Sequence, residues 1–391
     1  MAEWKTYRLG DICTLNYGKS LTATNRVAGD IPVYSSAGIT GSHNVALVQS
    51  KGIIVGRKGT VGTVYYSDKP FYCIDTAYYI LPDDEKYDFK WLYYRLKSLH
   101  LEKLNEDSAV PGLNRETAYA QEFPLPPLEE QRRIAGILSA IDDKIENNRR
   151  INTNLELQAQ ALYKQWFVDF EFPNEDGKPY KSSGGKMVDS ELGQIPEGWS
   201  VQTISDISVR IASGGTPKSL NESYYNGEIK WFTTKELKDC FLIDSDKHIS
   251  TEALNDSAAK LFPKNTILMA IYAAPTVGRL GILTAESTFN QAAVGIVAKE
   301  EIGHLFVYLT LLAERENLNN LASGAAQQNL NVGIVKQYKL IVPTKKLLIE
   351  FNQIAGSLFE RIKVVSNENK TLATLRDTLL PKLMNGEIIT K

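Results

Sequence analysis

A long helix with a coiled-coil pattern constrains this chain more than any other feature of its sequence. Between about Leu128 and Phe167, apolar residues recur at alternating steps of four and three, which is the 3.5-residue period of a coiled-coil seam. With no Pro or Gly after Gly136, about 40 residues should form one helix of about 60 Å. Such a helix needs a partner along its length. Its predicted apolar seam is Ile134, Leu138, Ile141, Ile145, Leu155 and Leu162.

The partner is found in the same chain, because this helix occurs twice. The run IAGIL at Ile134 returns as IAGSL at Ile354, 220 residues later, and the same shift gives mostly apolar residues at the other seam positions. Asn148 and Asn152 interrupt the first seam. They either fix the register of the pairing or mark a place where the seam faces solvent. The second predicted seam is Ile354, Leu358, Val365, Leu372, Leu375 and Leu379.

The repetition extends to the segments that precede each helix. The opening EWKTYRLGDI is matched by EGWSVQTISDI, GDIPVYSSAGI is matched by GEIKWFTTKEL, and the pair Leu113 and Asn114 is matched by Leu330 and Asn331. Short β-branched and aromatic runs, separated by Gly and Pro, indicate strands in both copies. The sequence therefore predicts an α+β protein with two globular domains, two long helices and an internal repeat.

Composition changes give the predicted segment boundaries. One stretch lacks hydrophobic periodicity and is rich in Gly, Ser and charge, which is typical of a linker. We predict a first domain at 1–127, a first helix at 128–170, a linker at 171–195, a second domain at 196–343 and a second helix at 344–391.

Charge and hydropathy limit the function classes. The net charge is −2, so a grip on nucleic acid must use local basic patches or a partner's charge. There is no apolar signal region and no apolar run near 20 residues, so we expect a cytoplasmic protein that does not engage a membrane. Three scattered cysteines without a CxxC pair, and four dispersed histidines, argue against a structural metal.

Motifs that resemble active sites do not meet the requirements of those sites. YGKS at Tyr17 looks like the end of a phosphate loop, but Cys13 stands where that loop needs Gly. Gly56, Gly59 and Gly62 form GxxGxxG, which is not the dinucleotide fingerprint. HExxH, GxSxG and [ND]PP[YFW] are missing. We therefore predict no catalytic residue, no cofactor and no metal.

Polar clusters in the predicted loops remain as candidate functional residues. Arg, Lys, Asn and Gln match guanine and adenine edges in the major groove. Taken singly, each is better explained as a solvated loop residue, but clusters in both halves favour DNA contact. In the first domain the candidates are Ser35, Ser36, Arg57, Lys58, Asn114 and Arg115. In the second they are Thr233, Thr234, Lys235, Tyr272, Thr276, Arg279, Gln327, Gln328, Asn329 and Asn331.

Two stretches carry a resemblance to a known family. They are LNRETAYAQEFPLPPLEEQRRIAGILSAIDDKIENNRRI, from Leu113, and VDSELGQIPEGWSVQTISDI, from Val188. PPLEEQ before the heptad helix, followed by LGxIPxGW at a second domain, resembles the specificity subunit of type I restriction-modification enzymes over essentially the whole chain. The second helix departs from this pattern, since it begins with VPTKKLLIEFNQI.

The resemblance implies a non-catalytic subunit with two target-recognition domains. Each domain would read half of a split, asymmetric site in double-stranded DNA, and the two helices would pack antiparallel as a spacer with pseudo-twofold symmetry. The helices would also dock two adenine-N6 methyltransferase subunits, and restriction (translocase) subunits would complete the nuclease. Two other functions stay open, a coiled-coil scaffold without DNA binding and a stand-alone DNA-modifying enzyme.

Overall fold

The structure is a computed structural model that describes residues 4–104, 112–272, 275–322 and 329–388. The α-helices are α1 (Leu9–Ile12), α2 (Phe89–Ser98), α3 (Arg115–Tyr119), α4 (Leu128–Tyr163), α5 (Thr251–Asn255), α6 (His304–Ala313), α7 (Arg315–Ala322), α8 (Val332–Gln337) and α9 (Lys345–Met384). A π-helical turn, Lys164–Val168, extends α4.

The strands lie before, between and after these helices. They are β1 (Lys5–Arg8), β2 (Asn16–Tyr17), β3 (Ile31–Ser35), β4 (Gly38–His43), β5 (Gly52–Gly56), β6 (Val64–Ser67), β7 (Tyr72–Cys73), β8 (Ala77–Ile80), β9 (Glu122–Leu125), β10 (Met187–Ser190), β11 (Gly193–Pro196), β12 (Ser200–Thr203), β13 (Ser208–Ser213), β14 (Ile229–Phe232), β15 (Cys240–Leu242), β16 (Lys247–Ile249), β17 (Ile267–Ala270), β18 (Leu280–Leu283), β19 (Thr288–Phe289), β20 (Ala293–Ala298) and β21 (Lys339–Val342).

The chain divides into two compact units. The first unit comprises Met1–Asn147 and Asn369–Lys391, and the second comprises Asn148–Glu368. In the first unit, β1 pairs with β9, a four-stranded sheet has the order β2-β8-β5-β6, and a three-stranded sheet has the order β4-β3-β7. Its core gathers Trp91, Tyr78 and Phe123, all buried.

The second unit repeats this plan with one addition. Strand β12 pairs with β21, a five-stranded sheet has the order β13-β20-β17-β18-β15, and a three-stranded sheet has the order β16-β14-β19. The parallel pairing of β3 with β7 recurs as β14 with β19. The predicted α+β class and the internal repeat are therefore confirmed, and β15 is an extra strand of the second copy.

Matching hydrogen bonds extend the repeat to single residues. Asn114 caps α3 by accepting from Glu116 N–H at 2.8 Å, and Asn331 caps α8 by accepting from Ile334 N–H at 2.9 Å, so the predicted match of these two residues is structural. Other matched N–H to carbonyl bonds are Ile74 to Tyr34 and Asn290 to Phe232, Gly18 to Ala77 and Gly214 to Ala293, and Gly62 to Gly56 and Gly278 to Ala270.

The two long helices pack antiparallel within each unit. In the second unit, the side-chain amides of Asn148 and Asn152 donate to Glu368 and Ser366, both at 2.9 Å. The residue numbers of the α9 partners therefore decrease as the residue numbers on α4 increase, which makes the two helices antiparallel. In the first unit, Asp142 of α4 forms an ion pair with Arg376 at 2.8 Å, while Ile134 and Leu138 share a core with Leu383 and Met384.

The polar residues Asn148 and Asn152 lie inside this helix pairing. Asn148 is only 1% exposed, which excludes the alternative that the seam faces solvent there. Asn148 and Glu368 occupy equivalent positions of the repeat, and the antiparallel direction follows from the second bond, because Asn152 lies four residues later on α4 while Ser366 lies two residues earlier on α9. A buried polar pair of this kind specifies register.

The predicted seam residues of α4 are buried or half-buried, whereas two of those on α9 are exposed. Ile134, Leu138, Ile145 and Val365 are buried, and Ile141, Leu155, Leu162, Leu358, Leu372 and Leu379 are half-buried. Ile354 is 46% exposed and Leu375 is 45% exposed. Buried Phe351, Ala355 and Ile362 show the reason, because the α9 seam alternates its steps of four and three in the opposite phase. One residue turns a helix by about 100°, so Ile354 points away from the seam that Ala355 enters.

Segment 171–195 has more order than a flexible linker. Phe172 stacks on Tyr180, with ring centroids 4.5 Å apart, and on Trp199, at 5.2 Å. The segment also contains β10 and most of β11. Contacts between a few aromatic rings leave no periodic pattern in the sequence, which is why composition indicated a linker. The five segment boundaries stay a prediction.

Candidate nucleic-acid interface

In the first unit, backbone bonds join the β5–β6 loop to the segment before α3. The N–H of Leu113 donates to the carbonyl of Arg57 at 2.8 Å, and Lys58 forms a β-bridge with Gly112. The side chain of Asn114 is held by its capping bond to α3. Four predicted residues therefore come together although they lie far apart in the sequence.

These segments border a cleft of about 380 Å³, which we call the arginine cleft. Its predicted members are Arg57, Lys58, Asn114 and Arg115. Lys58 and Asn114 are exposed, and the two arginines are half-buried. The remaining lining residues are Tyr17, Tyr78, Gly112, Leu113 and Glu116.

Aromatic rings hold the two guanidinium groups. The Arg57 guanidinium lies 4.8 Å from the ring centroid of Tyr17 and 5.8 Å from that of Tyr78. The Arg115 guanidinium lies 5.2 Å from Tyr17 and 5.8 Å from Tyr119. Cation–π contacts of this kind are worth about 0.5–1 kcal/mol each at exposed sites. Tyr17 thus organises both arginines.

Hydrogen bonds fix the same groups further. Nη1 of Arg57 donates to the carbonyl of Asp75 at 3.2 Å. The phenol of Tyr78 donates to the carbonyl of Leu113 at 3.1 Å, and burial raises the pKa of Tyr78, so this phenol stays protonated and keeps donating. The cleft is therefore shaped before any ligand binds.

Ser35 and Ser36 do not belong to this surface, which corrects their prediction as DNA contacts. Both are buried. The hydroxyl of Ser35 accepts from Ala37 N–H at 3.1 Å and donates to the carbonyl of Gly38 at 3.3 Å. The carbonyl of Ser36 accepts from the hydroxyl of Thr63 at 2.5 Å. Both residues close the β3–β4 turn.

In the second unit, Thr233, Thr234 and Lys235 form a capped turn after β14. The N–H and hydroxyl of Thr233 donate to one carboxylate oxygen of Glu236, at 2.7 and 2.9 Å. Thr234 is half-buried and Lys235 is exposed. The N–H and hydroxyl of Thr233 are thus both engaged by Glu236. The side chain of Lys235 is exposed to solvent.

Tyr272, Thr276 and Arg279 lie on the loop between β17 and β18. The N–H of Arg279 donates to the carbonyl of Thr276 at 3.0 Å, and the hydroxyl of Thr276 donates to the carbonyl of Tyr272 at 3.3 Å. These bonds form a compact turn. Tyr272 is exposed and Arg279 is half-buried, so the turn presents an aromatic ring and a guanidinium.

The last predicted cluster precedes α8. Gln327 and Gln328 lie outside the described residues. Asn331 uses its side-chain oxygen to cap α8, and Asn329 is half-buried. Asn331 therefore has a structural role, the same as that of its repeat counterpart Asn114.

Tyr17 and Tyr78 are functional candidates that the sequence did not reveal. Tyr17 belongs to YGKS, which fails as a phosphate loop, and its actual partners are distant in sequence. The aromatic and β-branched run around Tyr78 predicted a strand, which β8 confirms. Only the fold places both rings beside Arg57.

The described residues offer little to catalysis. Within them, no group of three His, Cys, Asp or Glu side chains is placed to hold a metal ion. Burial raises the pKa of the Cys13 and Cys73 thiols to about 12, so neither is a thiolate nucleophile at neutral pH. Across the same part of the chain, no helix is both long and apolar enough to cross a bilayer.

Two domains with polar loops, together with a pair of long helices, define a protein that recognises a DNA sequence. Comparison with known families agrees with this class. The family described as type I restriction modification DNA specificity domain matches residues 1–157 and 196–374, and the chain belongs to that family. It is a non-catalytic specificity subunit that recognises DNA.

Curated relatives agree with the family assignment, and a solved structure shares the fold. The chain is 28% identical over 337 residues to the type I restriction enzyme HindI specificity subunit of Haemophilus influenzae, covering 73% of this chain and 72% of that protein. It is 29% identical over 344 residues to the MjaIX specificity subunit of Methanocaldococcus jannaschii, covering 86% and 77%. The type I restriction-modification S subunit from M. genitalium shares the fold, with a TM-score of 0.61 at 19% identity over 97% of this chain and 96% of that one.

Proposed function

We propose that this chain determines which DNA sequence a type I restriction-modification complex recognises. Each unit reads one half of a bipartite, asymmetric site. Its partners are double-stranded DNA, two adenine-N6 methyltransferase subunits that dock on the long helices, and restriction (translocase) subunits. It acts in the cytoplasm. The base-reading residues come from the arginine cleft in the first unit and from the β17–β18 loop in the second.

The arginine cleft is the observation that carries this proposal. It concentrates Arg57, Lys58 and Arg115 in a chain whose net charge is −2. A guanidinium matches the O6 and N7 acceptors of guanine. Because Tyr17 and Asp75 already orient Arg57, less side-chain entropy is lost on binding.

The second unit offers Arg279 and Tyr272 for the other half-site. They share a loop whose position corresponds to the β5–β6 loop of the first unit, because Gly62 and Gly278 make matched bonds. Two units with the same plan and different side chains at this loop fit a site whose halves differ in sequence.

The test uses the chain assembled with its methyltransferase subunits. Replacing Arg57 or Arg115 with Ala should weaken cognate binding by about 1–3 kcal/mol and relax the first half-site only. Arg279→Ala should relax the second half-site only. Arg8→Ala is the matched control, since Arg8 is exposed and pairs with Glu122 outside the cleft.

Methylome sequencing of a host that expresses each variant reads both half-sites at once. Equal losses of discrimination at both half-sites, or no loss at either, would contradict the residue assignments. Binding to cognate and scrambled duplexes, with and without the methyltransferase, tests the scaffold alternative, which predicts no discrimination. Methylation or cleavage by the isolated chain would instead identify a stand-alone enzyme.

A further inference from the structure

Backbone hydrogen bonds around the arginine cleft are repeated in the second unit. The N–H of Arg57 donates to the carbonyl of Thr76, which follows Asp75, at 2.9 Å. The N–H of Ile271 donates to the carbonyl of Ala292, which follows Gln291, also at 2.9 Å. The loops that follow β2 and β13 are also held by matched bonds. In these bonds the N–H groups of Gly18 and Gly214 donate to the carbonyls of Ala77 and Ala293. Gln291 therefore occupies the position of Asp75, whose carbonyl accepts from the Arg57 side chain in the first unit.

The side chains at the matched positions differ in charge. The first-unit residues with their second-unit counterparts are Arg57 with Ile271, Lys58 with Tyr272, and Arg115 with Val332. Three cations of the first unit are thus replaced by uncharged residues. At these three positions the second unit must use other chemistry, so a guanidinium contact with guanine is not repeated there.

Gln291 is exposed and its amide is oriented. The hydroxyl of Thr216, also exposed, donates to the side-chain oxygen of Gln291. The loop that carries Thr216 can come this close because a Cβ at Gly214 would lie 2.1 Å from the carbonyl oxygen of Phe289, a contact only glycine avoids. The next residue, Gly215, fixes the approach by donating its N–H to the same carbonyl at 2.9 Å.

The bond from the Thr216 hydroxyl leaves the amide of Gln291 able to pair with a base. An amide oxygen has two lone pairs and the NH₂ group has two donors, and the Thr216 hydroxyl occupies one lone pair. The other lone pair and one N–H match N6 and N7 of adenine, which is the bidentate contact that Gln makes in a major groove.

We infer that Gln291 reads an adenine in the second half-site and that Thr216 is its positioning residue. This inference rests on the proposed function. It gives the two half-sites different requirements, a guanine contacted by Arg57 in the first and an adenine contacted by Gln291, the counterpart of Asp75, in the second.

Methylome sequencing with variants of the complete complex tests this inference. Gln291→Ala should reduce discrimination at one position of the second half-site by about 5- to 150-fold. Gln291→Glu should shift that position towards cytosine, because a carboxylate accepts from cytosine N4. Thr216→Val should relax the same position, and Thr216→Ser should restore it. Gln337→Ala, an exposed Gln on α8, is the control and should leave the motif unchanged.

The outcomes separate this inference from the proposed function. A wild-type complex without any bipartite methylated motif would contradict the proposed function itself. A normal wild-type motif that Gln291→Ala leaves intact, or weakens evenly at all positions, would overturn only the role of Gln291. Loss with Thr216→Ser as well as with Thr216→Val would remove Thr216 as a positioning residue.

Discussion

The two units bind the ends of their long helices with different chemistry. In the first unit, the Arg95 guanidinium donates to the carbonyl of Met384, the last residue of α9. It lies between Trp91 and Phe123, 5.5 and 5.3 Å from their ring centroids. Burial lowers the pKa of Arg95 to about 10, so this side chain is still charged at neutral pH.

At the matching position of α6 the second unit has Thr310. Its hydroxyl accepts from the phenol of Tyr163, at the end of α4, at 3.1 Å. Aromatic rings supply the rest of the contact, since Phe167 lies 4.7 Å from Phe351 and 5.1 Å from Phe306. A cluster of rings replaces one cation.

The difference shows that a shared topology leaves the chemistry of a junction free. A helix end has carbonyls without intrahelical partners and a partial negative charge, which a buried arginine satisfies. At the end of α4 the helix continues into a π-helical turn that adds Trp166 and Phe167 to the core. We expect the first junction to depend on one side chain and the second on several.

The largest effect should come from Phe351→Ala, which removes a ring from the aromatic junction. Phe→Ala in a core typically costs about 3–5 kcal/mol. Ile354→Ala, on the exposed side of the same helix, should change stability by less than about 1 kcal/mol. Urea unfolding followed by near-UV dichroism measures both. Equal costs would show that the seam runs through Ile354 as the sequence suggested.

Arg95→Ala should cost about 2–3 kcal/mol, because the Met384 carbonyl loses a charged donor. The effect should be confined to the first unit. Hydrogen exchange of peptides covering residues 376–388 should accelerate, while exchange around Phe167 stays unchanged. Thr310→Val is the matched variant in the second unit and should cost about 1 kcal/mol. A larger loss for Thr310→Val would reverse the comparison.

Double-mutant cycles compare the polar contacts of the helix pair in the two units. Alanine at Asn148 and Glu368 should reveal a coupling of about 1.5–3 kcal/mol, the range for hydrogen bonds to charged groups. The cycle for Asp142 and Arg376, whose side chains are 27% and 22% exposed, should give less because solvent screens the pair. Chemical denaturation of the four variants of each cycle supplies the values, and a stronger second coupling would argue against burial as the cause.

The smallest effect concerns acid sensitivity of the second unit. Burial, and then the charge of Lys264, lowers the pKa of His304 from 6.5 to about 4, against an opposing effect of Glu360. The unfolded chain therefore binds this proton more readily, and the free energy of unfolding falls as pH drops from about 6.5 towards 4. His304→Gln should remove on the order of 1 kcal/mol of this loss at pH 5.5. Melting temperatures of both proteins at pH 7.5 and 5.5 test it, and parallel shifts would assign the sensitivity elsewhere.

The sequence predicts those parts of the fold that depend on periodicity and repetition. Asn114 and Asn331 were matched by repetition alone, and both are helix caps. The repeat also pairs Asn148 with Glu368, which bond to each other. Periodicity could not decide the phase of the α9 seam, because alternating steps of four and three can start in either order, and Ile354 was placed wrongly for that reason.

The candidate site was only partly accessible to sequence reasoning. Arg57 and Arg115 were found because their residue types suit base edges, but their shared support, Tyr17, depends on the pairing of β2 with β8. Gln291 gave no signal, since its match to Asp75 follows from the backbone bond that the next residue, Ala292, accepts from Ile271. Ser35 looked like a loop residue because burial of a small hydroxyl leaves no mark on composition.

The division of α9 between the units bears on how this protein is made. Residues 369–388 complete the first unit, yet about 220 residues of the second unit lie between them and Asn147. At about 5–20 residues per second of synthesis, the apolar side of α4 near Leu138 waits roughly 10 to 40 s for its partner. During that interval we expect the nascent first unit to expose apolar surface of the kind that chaperones recognise. We therefore expect translation speed across the second unit to affect the yield of folded protein.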